Sequence, residues 1–352
     1  MADTIGMGLQ GLGQAARVAW YFGLNQAVTR RSRRVTPAPA DGGQQTPSQT
    51  TRPMPSTREI LADLGHLVLR DASAVRDGIY PPMLGGGSPA ELLARARAML
   101  EDLPATVQRR HARDASTVRS ATKDRELPDY YAQDFHFQTG GYLTEGSAKL
   151  YDVQVETLFL GGAGAMRREA LRPIAEFMRG RDQRRISLLD VACGTGRFLH
   201  DCRIAWPAMR LTGLDLSSAY LDEARHHMQG LRPACLISAN AEAIPLPDAS
   251  QDIVVCIFLF HELPPEVRRG VTAQMARVLK PGGLLVFIDS LQFGDRPGWD
   301  GLIEGFPMRF HEPYYRHYAI DDLTALFEGA GLQKTGHWTS YFSKVMVWQK
   351  GG

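Results

Sequence analysis

The sequence predicts an α/β protein, with a mostly parallel sheet interleaved with helices, an antiparallel hairpin at its end and a helical extension in front. Three observations carry this. From Gly180 onward, apolar runs at 187–191, 210–214, 234–238, 253–258 and 284–288 alternate with helical segments at 196–205, 217–230 and 265–279. Such alternation implies parallel strands joined by right-handed crossovers. Residues 334–340 and 344–349 are strands separated by a short turn, so the last strand runs antiparallel. Ahead of Gly180 the periodicity is helical.

In chain order, residues 5–28 come first. They are apolar on average, with Arg17 as the lone charge, and Arg30, Arg31, Arg33 and Arg34 follow at once. This segment (1–34) reads as an interfacial helix with Trp20, Tyr21 and Phe22 at headgroup depth, or as a helix on the protein's own core, or as a partly ordered tail. Its glycines lower helix propensity. Residues 35–55 contain five prolines and almost no aliphatics, the composition of a linker. Residues 56–128 form a predicted helical subdomain. Ser56-Thr57-Arg58-Glu59 and Ser88-Pro89-Ala90-Glu91 are capping boxes, the second with proline at the first helical position. Ile60, Leu61, Leu64, Leu67, Val68, Ala72 and Val75 recur at helical spacing. Residues 129–352 make the α/β domain, opening on YYAQDFHFQTGGYLTEGSAKLYD, whose six aromatics either pack as core or line a pocket.

Composition narrows the function classes. With 44% hydrophobic residues the 352-residue chain can bury a substantial core. A net charge of +2 is too mild to argue for nucleic acid. No apolar run reaches 18 residues, so no span is expected. Cys193, Cys202, Cys235 and Cys256 are not spaced as a Cys-x-x-Cys pair, which suits reduced thiols in a cytoplasmic protein and gives no reason to expect a metal.

The functional signal is LLDVACGTGRFL at 188–199. A strand ends in an acid, and Gly194-Thr195-Gly196 opens a helix, so a ligand sits at the carboxyl end of that strand. A dinucleotide, a nucleotide phosphate and a sulfonium nucleoside each suit part of it. The dinucleotide fingerprint needs a third glycine where this chain has Leu199, and no Gly-Lys-Ser/Thr follows for a phosphate loop. Asp215 ends the next strand, where a carboxylate can accept both hydroxyls of a ribose. Then Asn240-Ala241-Glu242-Ala243-Ile244-Pro245 leads into the buried run QDIVVCIFLFHEL.

With DVACGTG, LTGLDLS, NAEAIPLPDASQDIVV and ARVLKPGGLLVFID in this order, the chain from about 150 to 352 resembles the class I S-adenosylmethionine-dependent methyltransferases, of the type 11 sort grouped with the ubiquinone/menaquinone C-methyltransferases. Ala192 stands in the place of the first motif glycine. The resemblance implies a seven-stranded Rossmann-like sheet and S-adenosyl-L-methionine as cofactor. By the same resemblance, Asp190, Ala192, Cys193, Gly194 and Gly196 face the methionine moiety. Asp215 and Leu216 would meet the ribose, and Asn240, Ala241, Glu242 and Phe258 the adenine side. Asn240, where the family has aspartate, can accept from the adenine amino group, or can simply cap its loop. His261 and Glu262, past the fourth strand, are the expected catalytic pair, with His261 as base or acceptor contact. His136 and Tyr142 before the domain, with His311, Tyr314 and Tyr315 after the fifth strand, are the expected acceptor wall. An aromatic rim without an arginine cluster implies a small apolar or aromatic acceptor, first a prenylated quinol or lipid-like molecule. O- or N-methylation of a specialised metabolite is the runner-up, and a non-catalytic cofactor-binding scaffold is the third reading. Peripheral membrane contact through the N-terminal segment would fit the first of these.

Overall fold

The computed structural model describes residues 3–35, 50–84, 87–116, 118 and 127–352. Most of the Pro-rich stretch 35–55, and residues 119–126 of the predicted helical subdomain, lie outside the described residues.

The α/β architecture predicted from the sequence is the one observed. Seven strands form one sheet: β1 Ser187–Val191, β2 Arg210–Asp215, β3 Cys235–Ser238, β4 Gln251–Ile257, β5 Leu279–Ser290, β6 Leu332–Ser340 and β7 Ser343–Lys350. Their order is β3-β2-β1-β4-β5-β7-β6. The first five pair parallel, Asp190 lying opposite both Gly213 and Val255, while β7 runs antiparallel to β5 and β6. The order reverses between β1 and β4, and the crevice at that switch point is where a ligand belongs.

Alternation along the strands sends side chains into two cores. Leu188, Leu211, Val255, Val286 and Val347 pack on one face with Leu171 and Ile174 of helix Leu171–Met178 and Phe198 of helix Arg197–Ala205. Leu189, Leu214, Val254, Phe287 and Trp348 pack on the other with Met275 of helix Pro265–Val278 and Phe327 of helix Leu323–Gly329. Leu199 costs the helix nothing in its approach to the sheet, because the glycine has moved to the partner strand. A Cβ on Gly213 of β2 would lie 2.6 Å from Leu199 Cδ1.

Helix α1 is a single helix, Thr4–Val35. It packs against α2 Thr57–Arg76, α3 Pro89–Ala112 and α4 Glu145–Leu158. Both predicted capping boxes form, at Ser56 and at Ser88. Buried polar bonds join the N-terminal segment 1–34 to 56–128 and to the α/β domain, in line with the reading of a helix on the protein's own core. Gln10 is fully buried, and its side-chain nitrogen donates to Asp71 while its oxygen accepts from Met83 N–H at 2.7 Å. Asp71 also accepts from Arg168 at 2.7 and 3.0 Å and from the Tyr80 hydroxyl at 2.8 Å. Arg17 pairs with buried Glu156 at 2.9 Å. A strap at 50–55 lies on helix Asp300–Arg309, where Gly301 N–H donates to Pro53 C=O and the Thr51 and Arg52 amides donate to Glu304. Among the described residues no helix is long and apolar enough to cross a membrane.

Candidate active site

The chain reverses tightly after β1. Ala192 sits at φ +59°, a left-handed conformation that suits glycine, which explains why this position resembles a motif glycine; holding an alanine there costs on the order of 1 kcal/mol. Gly194 and Gly196 also have positive φ. A Cβ at Gly194 would meet nothing within 4 Å, so the turn opens onto space, whereas one at Gly196 would strike Ala224 at 2.7 Å. Gly194 N–H donates to Asp215 at 2.8 Å, and Ser217 N–H donates to its other oxygen at 2.8 Å. The two amides fix the carboxylate in the crevice. Burial still dominates and pushes the Asp215 carboxyl up to about 6.

Ala192, Gly194, Asp215, Leu216, Asn240, Ala241 and Phe258 line one pocket, with Tyr130, Tyr131, Tyr142, Tyr151 and Glu262 completing it. Seven of the eleven residues expected at the cofactor are therefore brought together, and four are not. Asp190 is 2% exposed and lies under the turn. Burial, then the Asp215 charge, push its carboxyl well up, and one of its oxygens has no hydrogen-bond partner. The Cys193 sulfur faces Gly213 inside the core, where burial raises the thiol and leaves it inert. Gly196 packs on Ala224, and Glu242 turns away to accept from the Tyr130 hydroxyl at 2.7 Å. Asn240 lines the pocket, and its oxygen caps the loop by accepting from Glu242 N–H at 2.9 Å.

A second cavity of ≈ 1140 Å³ adjoins the first, and the two share Tyr151, Phe258 and Glu262. His136, His261, Phe306, Phe310, Tyr315 and Phe342 line it, together with Asn25 of α1, Ile60 of α2 and Arg110 of α3; Arg113 and Arg309 join Arg110 there, which corrects the expectation of a rim without an arginine cluster. Phe258, at φ +56°, stands between the cavities, stacked on Phe159 and edge-on to His261. Three residues expected at the acceptor are placed elsewhere. Tyr142 is in the wall of the first pocket, where its hydroxyl donates to Glu262 at 2.6 Å. His311 lies outside both linings, its ring held by Gln133 at 2.7 Å, and Tyr314 lines neither cavity. His136 and Tyr315 do line the large cavity.

His261 Nδ1 lies 2.5 Å from Asp289 Oδ1, and its Nε2 lies 3.7 Å from Glu262. Asp289, buried at the end of β5, is held by Phe260 N–H and Ser290 N–H at 2.7 Å. Burial works against a charge on His261, but the facing Asp289 outweighs it and the imidazole is raised to about 9. Asp289 thus favours the charged imidazole. The motif ending in FID carried the signal for Asp289, because its acid closes the strand beside β4. His136 is raised to about 10: burial opposes its charge, and Glu312 and Glu262 override it.

The likeness to known proteins agrees with this geometry. A family model described as a methyltransferase domain matches residues 188–283. A demethylmenaquinone methyltransferase of Listeria welshimeri is 32% identical over 160 residues, covering 42% of this chain and 66% of the relative. A malonyl-[acyl-carrier protein] O-methyltransferase of Xylella fastidiosa is 34% identical over 102 residues, 28% of this chain and 33% of the relative. The chain thus spans just under two thirds of the length of the menaquinone relative. Among solved structures, human N-acetylserotonin methyltransferase in complex with SAM shares the fold at TM-score 0.51 and 16% identity, over 76% of this chain and 73% of that one. That fold match reaches beyond the α/β sheet into the helical layer. On this sheet order, glycine turn and carboxylate at the end of β2, with those likenesses, residues 188–283 form a methyltransferase domain of the class I S-adenosylmethionine-dependent kind, and S-adenosylmethionine is the cofactor these likenesses support.

Proposed function

We propose that the protein transfers a methyl group to a small apolar or aromatic acceptor held in the large cavity. The observation that carries this reading is the junction of the two cavities at Tyr151, Phe258 and Glu262, with His261 beside it. The cofactor supplies an already activated methyl on a sulfonium. The protein's work is then alignment and exclusion of water, which can contribute on the order of 7–11 kcal/mol. Asp215 and the Gly194 turn would hold ribose and methionine on one side of Phe258. On the other side, the rings of Phe306, Phe310, Tyr315 and Phe342 would clasp the acceptor. His261 Nε2 is placed to hold an acceptor oxygen. A positive cofactor next to it disfavours the imidazolium and frees Nε2 to take the acceptor's proton.

A prenylated quinol or similar lipid-like molecule is our first reading of the acceptor, supported by the cavity's volume and by the demethylmenaquinone relatives. The outward face of α1 supports delivery from a membrane surface, since Ile5 and Leu12 are 80% and 73% exposed and the arginines at 30–34 follow. O-methylation of a specialised metabolite is the second reading, favoured by the His261–Asp289 pair, because a hydroxyl must lose its proton. Incubating the purified chain with methyl-labelled S-adenosylmethionine and a lipid and metabolite extract separates them. Label in an isoprenoid quinone supports the first, label in a polar phenolic supports the second, and label nowhere refutes both.

A further inference from the structure

At the edge of the large cavity, which His136 and Glu262 line, lies a cluster that methyl transfer leaves without a role. His136 Nε2 and one carboxylate oxygen each of Glu262 and Glu312 lie within 4.8 Å of one another. Nε2 is 2.9 Å from Glu312 Oε1 and 3.8 Å from Glu262 Oε1. The three come from far apart in the chain: the loop before α4, the turn after β4 and the segment after helix Asp300–Arg309. Glu312 is 3% exposed; its Oε1 faces His136 Nε2 alone, and its Oε2 has no partner. Two carboxylates against one imidazole leave an excess of buried negative charge, which a bound cation would offset.

The surroundings hold these groups in place. Tyr142 donates to Glu262 Oε1 at 2.6 Å, the outer hydrogen bond that orients a ligand carboxylate in metal sites. His136 N–H donates to His311 C=O at 3.2 Å, tying the loop that carries His136 to the segment that carries Glu312. Edge contacts from Phe306 and Phe310, at 6.3 and 5.7 Å, restrict the His136 ring. Metal–ligand bonds of about 2.0–2.2 Å need donor atoms roughly 3–3.5 Å apart, so the 2.9 Å spacing already fits and the wider ones, 3.8 Å and up to 4.8 Å, would close as an ion binds. The cysteine spacing that gave no reason to expect a metal could not reveal this set.

The geometry points to a divalent-cation site formed by His136, Glu262 and Glu312, with its remaining coordination positions open to the acceptor cavity. One imidazole and two carboxylates suit an ion of the Mn²⁺ or Zn²⁺ kind. The ion would bind an acceptor oxygen and make its hydroxyl easier to ionise, beside His261. That role rests on the proposed function; the site itself does not.

The test uses the full chain without cofactor or acceptor. Mn²⁺ is titrated while the paramagnetic resonance of the free ion is followed, and Zn²⁺ is titrated by calorimetry. We expect one ion per chain, weakened at least tenfold in both Glu312→Gln and His136→Gln, with S-adenosylmethionine affinity kept within about twofold because neither residue lines that pocket. In the wild-type chain, Mn²⁺ should broaden the His136 ring resonances and spare His226, which lines another cavity. This readout stands even if a variant fails to fold. No stoichiometric ion below millimolar concentration, equal binding by both variants, or an unbroadened His136 overturns the site. Full-rate methyl transfer without a bound ion removes the ion's role in the reaction and leaves the proposed function standing.

Discussion

At the residue scale, Asp215 is the most informative side chain. Its two oxygens are fixed by Gly194 and Ser217 amides, and burial lifts its carboxyl to about 6. Ribose hydroxyls donate, so the carboxylate is the form that binds. As pH falls through 6 that form is lost, and cofactor affinity should be about tenfold weaker at pH 5 than at pH 7. Asp215→Asn removes the charge-assisted acceptors, about 2–4 kcal/mol, and should weaken binding by roughly 30- to 900-fold with little remaining pH dependence. Calorimetry across pH 5–8 checks both, and a wild-type affinity that stays flat would refute the ribose role. His261 poses the opposite case. It lines the acceptor cavity and not the cofactor pocket, so His261→Ala should cut kcat about 100-fold or more while changing cofactor affinity less than about threefold. Normal turnover of the variant would leave alignment alone to carry the reaction. Asp215 and His261 were legible because each closes or follows a strand whose apolar run is plain in the sequence. The His261–Asp289 pair was not, since strand adjacency, and not sequence distance, brings them together. Glu312 was missed for a related reason: His136 lies 176 positions away in number and reaches it only through folding of the segment after β5.

At the element scale, the sheet was readable and α1 was not. Strand alternation has a fixed period and a buried face, so five parallel strands and the hairpin could be read from apolar runs alone. The first half of helix α1 inverts the usual rule, whereas Tyr21 and Leu24 further along are buried in the core. Its buried positions include Gly6, Gln10 and Gln14, while Ile5, Leu9, Leu12 and Trp20 face outward. A hydrophobic pattern therefore points the wrong side inward, and the linker-like composition of 35–55 suggests a separable tail. What orients the helix is polar: Gln10 to Asp71, Arg17 to Glu156 and Asn25 to Thr157 C=O. Taking one partner from a buried charge leaves the other uncompensated, at about 3–5 kcal/mol. Here Glu156 keeps Arg167 at 3.3 Å and Gly164 N–H at 2.9 Å, and Asp71 keeps Arg168. Arg17→Ala and Gln10→Leu, which leaves Met83 N–H without its acceptor, should therefore each destabilise by about 1–3 kcal/mol, seen as a lower urea midpoint. Deleting residues 1–35 should destabilise more than either. A truncated chain with an unchanged unfolding midpoint would show that these bonds contribute nothing.

At the scale of the whole molecule, the acceptor cavity belongs to no single segment. Asn25, Ile60, Arg110, Phe159, Phe258, Phe306 and Phe342 reach it from both sides of the expected domain limits. The same helix that supplies Asn25 to this cavity turns Ile5, Leu9, Leu12 and Trp20 outward, with arginines at its end. One element thus joins an apolar outer face to the wall of a chamber lined by aromatic rings and by Arg110, Arg113 and Arg309. That arrangement suits an acceptor taken from an anionic lipid surface, where apolar side chains insert and arginines meet headgroups. Because α1 is part of the core, deletion cannot test this; surface substitution can. The double variant Ile5→Ser, Leu12→Ser alters exposed positions and should leave cofactor affinity and unfolding midpoint unchanged. It should sediment with phosphatidylglycerol-containing vesicles at least several-fold less than the parent chain, and raised salt should weaken the parent's association. Equal sedimentation of both chains, no association of the parent, or concentration-dependent dimerisation lost in the variant would each assign the exposed face to something other than lipid.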